Sequence, residues 1–241
     1  MAGRCVQRSF SLVRVLARSP RSLGLSELCA ATELSKSTAH DLLQELIAEG
    51  MASQHPDNRR YFLAGSACNV FRDVLQHFSL TVEQQSRLML RAEESGCSFC
   101  LCQLAGRHSV VTAAMLHNKS TDLLGSTPPA AISAAGKVLI ARKSPDMWPE
   151  YGLTEEEASY WGARLNWDYA RFEAELKQVI EENIAWNPGV LNEKEYSCAT
   201  VLPISRTPEA ALGAVMRKED FDKRSTQEWA QLLQETARSL A

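Results

Sequence analysis

The sequence predicts an α+β chain in two parts: a small helical unit closed by a hairpin, then a larger unit that mixes strands with helices. Three observations carry that prediction. Helix-spaced apolar residues and helix-stop signals divide the first 65 residues into three short helices, and two strand-like runs follow around a turn. From about residue 81 strand-like and helical segments follow one another without an internal repeat. A length of 241 residues, with 45% hydrophobic and 23% charged, is the composition of a folded chain of one or two domains.

Val6, Phe10, Val13 and Ala17 recur at spacings of four, three and four and predict one face of a first helix, which Ser19-Pro20 ends. Ser26 is the expected N-cap of a second, short helix through Glu27-Leu28-Cys29-Ala30. After a turn at Thr32-Glu33-Leu34, Ser35 caps a third helix from Lys36 to Ile47, and Gly50 stops it. Met51–Gln54 and Tyr61–Leu63 then read as strands around the turn His55-Pro56-Asp57-Asn58, with Arg59 and Arg60 beside it. Residues 66–80 read as a connecting helix, placing domain boundaries at 65 and 81.

In the second part, 81–95 reads as a helix. Cys97–Leu104 and Ser109–Leu116 read as a hairpin around Ala105-Gly106-Arg107. A helix is expected near 133–143 and another from Trp167-Asp168, with Tyr169, Phe172, Leu176, Val179 and Ile180 inward. Strands are expected at about 184–187, 197–204 and 211–217, with Asn187 ending the first before Pro188-Gly189 and Lys218 extending the last. A final helix carries Trp229, Leu232, Leu233, Thr236 and Leu240 on one stripe. Glu155-Glu156-Glu157 reads as the solvated first turn of a helix.

Composition narrows the function. The net charge of −3 excludes a uniformly basic nucleic-acid coat, though not a local patch. Residues 1–65 carry eight Lys and Arg against six Asp and Glu, a weak positive bias that leaves −5 on the rest. No run of eighteen apolar residues exists, and Arg8, Arg14 and Arg18 interrupt what could pass for a leader peptide, so a cytoplasmic chain is expected. Seven scattered cysteines predict reduced, packing thiols. Cys97, Cys100 and Cys102 form the one tight cluster, but strand alternation separates the first from the other two, and no metal site is expected. There is no nucleophile elbow, phosphate-cradling glycine loop or metal signature, so neither enzyme nor cofactor is expected.

The third helix divides into two faces. Ala39, Leu42, Leu43, Leu46 and Ile47 form a core stripe, while Ser37, His40, Asp41 and Gln44 lie opposite. A helix-turn-helix that reads DNA needs this division: one greasy face to seat it, one polar face to enter the major groove. Lys36, Ser37, Thr38, His40 and Gln44 offer groups for bases or phosphates, and Arg59 and Arg60 on the wing offer charge for the backbone. The same winged fold can serve protein contacts, which leaves a small-molecule-binding signalling protein as the alternative.

Ser35-Lys36-Ser37-Thr38-Ala39-His40, the following Leu-Leu pair, Gly50 and Tyr61-Phe62-Leu63 resemble the IclR family of bacterial transcriptional regulators. Ser133-Ala134-Ala135-Gly136-Lys137, Ile184-Ala185-Trp186-Asn187, Tyr196-Ser197-Cys198-Ala199, Leu202-Pro203-Ile204 and Leu212-Gly213-Ala214-Val215 extend the resemblance over nearly the whole chain. The resemblance implies a winged N-terminal domain, a linker helix and a GAF-like effector-binding domain with a central antiparallel sheet flanked by helices. It implies a homodimer or homotetramer on a palindromic operator in double-stranded DNA, acting as repressor or activator, and a small organic acid or aromatic effector. Ser133, Ala134 and Ala135 would present backbone N–H groups to a carboxylate, with Asn187, Cys198 and Met216 lining the pocket. Asn187 stands where an aspartate often occurs, and Met216 where a small hydroxyl residue can occur.

Overall fold

A computed structural model describes residues 2–70, 80–117, 123–165, 167–203 and 209–240. The chain divides into two compact units, Met1–His77 and Phe78–Ala241. The backbone is helical at 67–70, while the rest of the expected connecting helix, residues 71–79, lies outside the described residues, as does Ile204.

The first unit packs α1 (Ala2–Arg18), α2 (Leu25–Thr32) and α3 (Lys36–Ala48) over a hairpin of β1 (Ala52–Gln54) and β2 (Tyr61–Leu63). Leu12, Leu16, Leu28, Leu42, Leu43 and Tyr61 form its core. The buried stripe of α1 differs from the expected one. Leu12, Val13 and Leu16 face inward, while Val6 and Phe10 are more than half exposed, because the other two helices meet α1 only along the adjacent stripe. The cap of α2 differs too: Gly24, not Ser26, is the N-cap, and the Glu27 carboxylate accepts from the Gly24 N–H at 2.8 Å. Gly50, at φ 69°, closes α3 with the paired bonds Met51 N–H to Leu46 O and Gly50 N–H to Ile47 O, a reversal that favours glycine. Leu23 exchanges both backbone hydrogen bonds with Tyr61, so the linker between α1 and α2 supplies a third strand to the wing.

The second unit is a five-stranded antiparallel sheet in the order β4-β3-β7-β6-β5. Its strands are β3 (Ser98–Ala105), β4 (His108–Met115), β5 (Ala185–Asn192), β6 (Glu195–Val201) and β7 (Ala211–Arg217). Helices α4 (Val82–Ser95) and α9 (Thr226–Ser239) cover one face, and α8 (Lys218–Phe221) follows β7 directly. Helices α5 (Ala134–Ala141) and α7 (Tyr169–Glu182) cover the other, with α6 (Glu155–Leu165) between them in sequence. Each strand alternates between the two cores: Cys100, Cys102, Ala199 and Ala211 face α5, while Phe99, Leu101, Cys198 and Leu212 face α9. Lys218 therefore leaves the strand, and Ile180 of α7 is exposed rather than inward.

Two local features shape the backbone around β5 and α5. Strand β5 does not stop at Asn187; Gly189, at φ 75°, makes a bulge, and pairing with β6 resumes at Asn192. A short 3-10 turn, Ala130–Ile132, lies against the start of α5 so closely that a Cβ on Gly136 would come within 2.2 Å of the Ala130 carbonyl oxygen.

Glu27 also ties the wing down. It pairs with Arg60 at 2.5 Å and Arg21 at 2.7 Å, and Arg60 Nε donates to the Ser22 carbonyl at 3.0 Å. The Arg21 hydrogen bond, then the Gly24 N–H, hold the Glu27 carboxyl down to about 2, from an ordinary 4.5. A depressed carboxylate stabilises the folded state above its unfolded value and loses that contribution as pH falls through the folded one. Amide exchange at Leu23 and Tyr61, measured relative to the unfolded-chain rate at each pH, should therefore accelerate between about pH 4.5 and 2. In Glu27→Gln it should be fast already at neutral pH and lose that acid dependence. Gly136→Ala should destabilise the second unit by about 1–3 kcal/mol through overpacking against Ala130. Gly65→Ala, where nothing lies within 4 Å of the new Cβ, should be neutral. All five tryptophans lie in the second unit, so fluorescence-monitored urea unfolding reads the effect of Gly136→Ala directly.

Candidate functional site

Helix α3 is seated by Ala39, Leu42 and Leu43, all buried, and its N-terminus is capped by Ser35, whose Oγ accepts from the Thr38 N–H at 3.2 Å. The Ser35 hydroxyl also reaches the Thr38 Oγ1 at 2.8 Å and lies 3.2 Å from the Ser37 Oγ, so Thr38 is partly engaged in the cap itself. Lys36, Ser37, Asp41 and Gln44 are exposed and His40 is half-exposed, 3.7 Å from the Asp41 carboxylate. The unit thus presents a row of short polar side chains along one side of a rigid helix, with the helix N-terminus at one end.

The two wing arginines divide. Arg59 sits at the exposed end of the turn with φ 55°; its backbone is held by His55 O and the Gln54 amide, and its guanidinium has no partner among the described residues. Arg60, expected beside it as a second phosphate contact, is instead drawn back onto Glu27 and Ser22. The reason is a long-range pairing: Glu27 lies 33 residues away in sequence, and the left-handed backbone at Arg59 turns the chain between the two arginines.

On the α5 face of the sheet, an open cavity of about 690 Å³ lies between the loop 123–128, α6 and the β5–β6 hairpin. Its floor is a cross-strand row: Asn187 pairs with Ser197, and Ser197 with Val215. Trp161 of α6 forms a wall, and Thr127 and Lys194 add polar groups at the rim. Of the expected pocket residues, only Asn187 lies here. Cys198 and Met216 point the other way, into the core under α9, where Cys198 is fully buried and burial pushes its thiol far up. The expectation was off by one residue on each strand, and a one-residue shift inverts the face. Ser197 and Val215 take their places; the signal that could have found them is parity with Asn187, once the strand pairing is known.

Asn187 is 2% exposed and uses both ends of its amide. Nδ2 donates to the Ile132 carbonyl at 2.8 Å, and Oδ1 accepts from the Val190 N–H at 3.0 Å. Ser133 caps α5, its Oγ accepting from the Gly136 N–H at 2.9 Å. The N–H groups of Ala134 and Ala135 find no acceptor among the described residues, yet both residues are buried and line neither this cavity nor its neighbour.

The cysteine cluster is a packing feature. Cys100 and Cys102 lie side by side under α5, Sγ to Sγ 3.7 Å, while Cys97 faces α9 with its thiol pushed up to about 11 by burial. A Cβ on Gly213 would meet the Cys100 Sγ at 2.8 Å, so that glycine makes room for the sulfur. Among the described residues no group of three His, Cys, Asp or Glu side chains is placed to hold a metal ion, and no helix is long and apolar enough to cross a membrane.

Comparison with known proteins bears on both units. Residues 5–56 match the IclR helix-turn-helix domain. The glycerol operon regulatory protein of Streptomyces griseus is 41% identical over 58 residues, and that of Streptomyces coelicolor 38% over 58, a stretch covering 24% of this chain and 23% of each relative. An IclR family transcriptional regulator from Brucella abortus superposes with a TM-score of 0.75 over 98% of this chain and 90% of its own, at 16% identity. A regulator from Alicyclobacillus acidocaldarius gives 0.75 over 98% and 97%, at 18% identity. An IclR homologue from Microbacterium hydrocarbonoxydans, solved in complex with 4-hydroxybenzoate, gives 0.71 over 98% and 97%, at 15%. Residues 5–56 are thus similar to the IclR helix-turn-helix domain, and the chain shares its α+β fold with solved IclR-type regulators.

Proposed function

We propose that this protein is a ligand-responsive transcriptional regulator that reads double-stranded DNA with α3 and answers to a small organic acid or aromatic compound in the second unit. The observation that carries the reading is the exposed polar row Ser37, Asp41 and Gln44, with His40 half-exposed beside it, on a helix whose opposite side is buried. Gln44 is placed to contact adenine, Ser37 and Lys36 to contact bases or phosphates at the helix N-terminus, and Arg59 to meet the sugar-phosphate backbone. Asp41 beside them suits the amino group of cytosine and opposes phosphate, which favours sequence readout over non-specific affinity.

The effector site is the cavity over Asn187, Ser197 and Val215. The 4-hydroxybenzoate held by the Microbacterium hydrocarbonoxydans homologue is an acid of the size this cavity admits. A homodimer or homotetramer on a palindromic operator follows from the same reading, with two copies of α3 set about one DNA turn, or a multiple, apart. The effector acts by binding one arrangement of the assembly more tightly than another; equal affinity for both would change nothing.

A gel-shift titration against the DNA upstream of the neighbouring genes tests the reading, and failure to bind any of it would remove DNA from the function. In that assay His40→Ala and Gln44→Ala should each cost about 1–3 kcal/mol on the operator and far less on random DNA. Arg59→Ala should lower the salt slope by about one. Arg60→Ala should leave the slope unchanged while weakening the wing. Val215→Trp, which fills the cavity, should bind the operator normally and lose its response to 4-hydroxybenzoate and related acids.

A further inference from the structure

A second cavity lies on the same side of the sheet but behind β5, between α5 and α7. It encloses about 280 Å³, more than the roughly 150 Å³ of an apolar cavity that takes up benzene. Trp167 and Phe172 form its walls, their rings 5.3 Å apart, and Trp186 contributes its backbone carbonyl. Its polar end is a row of three charges.

Lys137, in α5, has a side chain only 10% exposed. Its Nζ donates to Glu175 Oε2 at 2.7 Å and to the Trp186 carbonyl at 3.2 Å. Glu175 Oε1 accepts from Arg171 Nε at 3.2 Å. One carboxylate therefore serves two cations. An ammonium has three donors and a guanidinium five. One N–H of Lys137, and both terminal amino groups of Arg171, have no acceptor among the described residues. A buried ammonium with one unused N–H, beside a cavity with aromatic walls, offers a charge-assisted donor to an anionic oxygen.

We infer that this cavity is a second small-molecule site, which takes a monocarboxylate bearing an aromatic or branched apolar group. The carboxylate accepts from the remaining Lys137 N–H and from the Arg171 guanidinium. The apolar group lies against Trp167 and Phe172. Phosphates and dicarboxylates are disfavoured, because Glu175 and Asp168 already line the same cavity and would repel a second negative charge.

Isothermal titration of the full chain with benzoate, phenylacetate and 3-methylbutanoate tests this, with benzyl alcohol as the neutral control. At least one acid should bind, and benzyl alcohol should bind at least about tenfold more weakly than benzoate for want of the charge-assisted bonds. Arg171→Ala, at an exposed position whose loss leaves the fold intact, should weaken acid binding about tenfold. Val190→Trp, which fills this cavity, should remove the Arg171-dependent binding event, and Val215→Trp, in the cavity over Asn187, should leave that event unchanged. Binding of none of the three acids overturns the inference. So does binding that Arg171→Ala leaves unaltered, or binding as strong for the alcohol as for the acid. Loss of binding in Val215→Trp alone would place the acids over Asn187, overturning the second site while supporting the effector reading above.

Discussion

The second unit depends on the two-residue period of a sheet that is covered on both faces. Because α5 and α7 pack on one side and α4 and α9 on the other, the central positions of β3, β6 and β7 are each committed to one of two cores. That commitment brings Asn187, Ser197 and Val215 into one row above one cavity and sends Cys198 and Met216 beneath the opposite helices. It also sets the space available. Gly213 stands where the sulfur of Cys100 crosses its strand, and Gly136 where the carbonyl of Ala130 presses on α5. Both are places at which backbone approach, not conformational freedom, requires glycine.

Features written within a few residues of one another were legible in the sequence. Ser35 at the start of α3, Gly50 at its end and Asp168 at the start of α7 are local solutions to the unpaired groups at helix termini, and each is signalled by its residue type and its distance from an apolar stripe. The division of α3 into a seated face and a free one was legible for the same reason. What depends on a distant partner was not. Two overlapping stripes satisfy helical spacing on α1, and only contact with α2 and α3 selects Leu12 and Leu16 over Val6 and Phe10. The pocket residues on β6 and β7 needed the strand register, which no single strand contains. Arg60 needed Glu27, and Lys137 needed Glu175, 38 residues on, before its burial could be read as meaningful.

The first unit shows how similar charges in sequence come to differ in role. Arg59 and Arg60 are neighbours, but one is held at the tip of the wing by its backbone alone and the other is locked into a three-way cluster with Glu27 and Arg21. The cluster uses its charge inside the unit, joining the start of α2 to the hairpin, so the wing keeps its place beside α3 without an apolar core of its own. The free charge is left at the edge. A winged unit built this way separates the residues that hold its shape from those left free at its edge.

Asn187 has a position whose meaning extends beyond its own cavity. Its side chain floors the space beneath Trp161, yet both partners of its amide, the Ile132 carbonyl and the Val190 N–H, belong to residues that line the space behind β5. The amide of Asn187 therefore ties the lining of one chamber to that of the other. A guest that draws the amide toward itself must free a carbonyl and an N–H on the far side, and a guest on the far side that fixes those groups must hold the amide still. Thermodynamic reciprocity makes such influence equal in both directions, so the pair of chambers would behave as one two-input element rather than as two independent receptors.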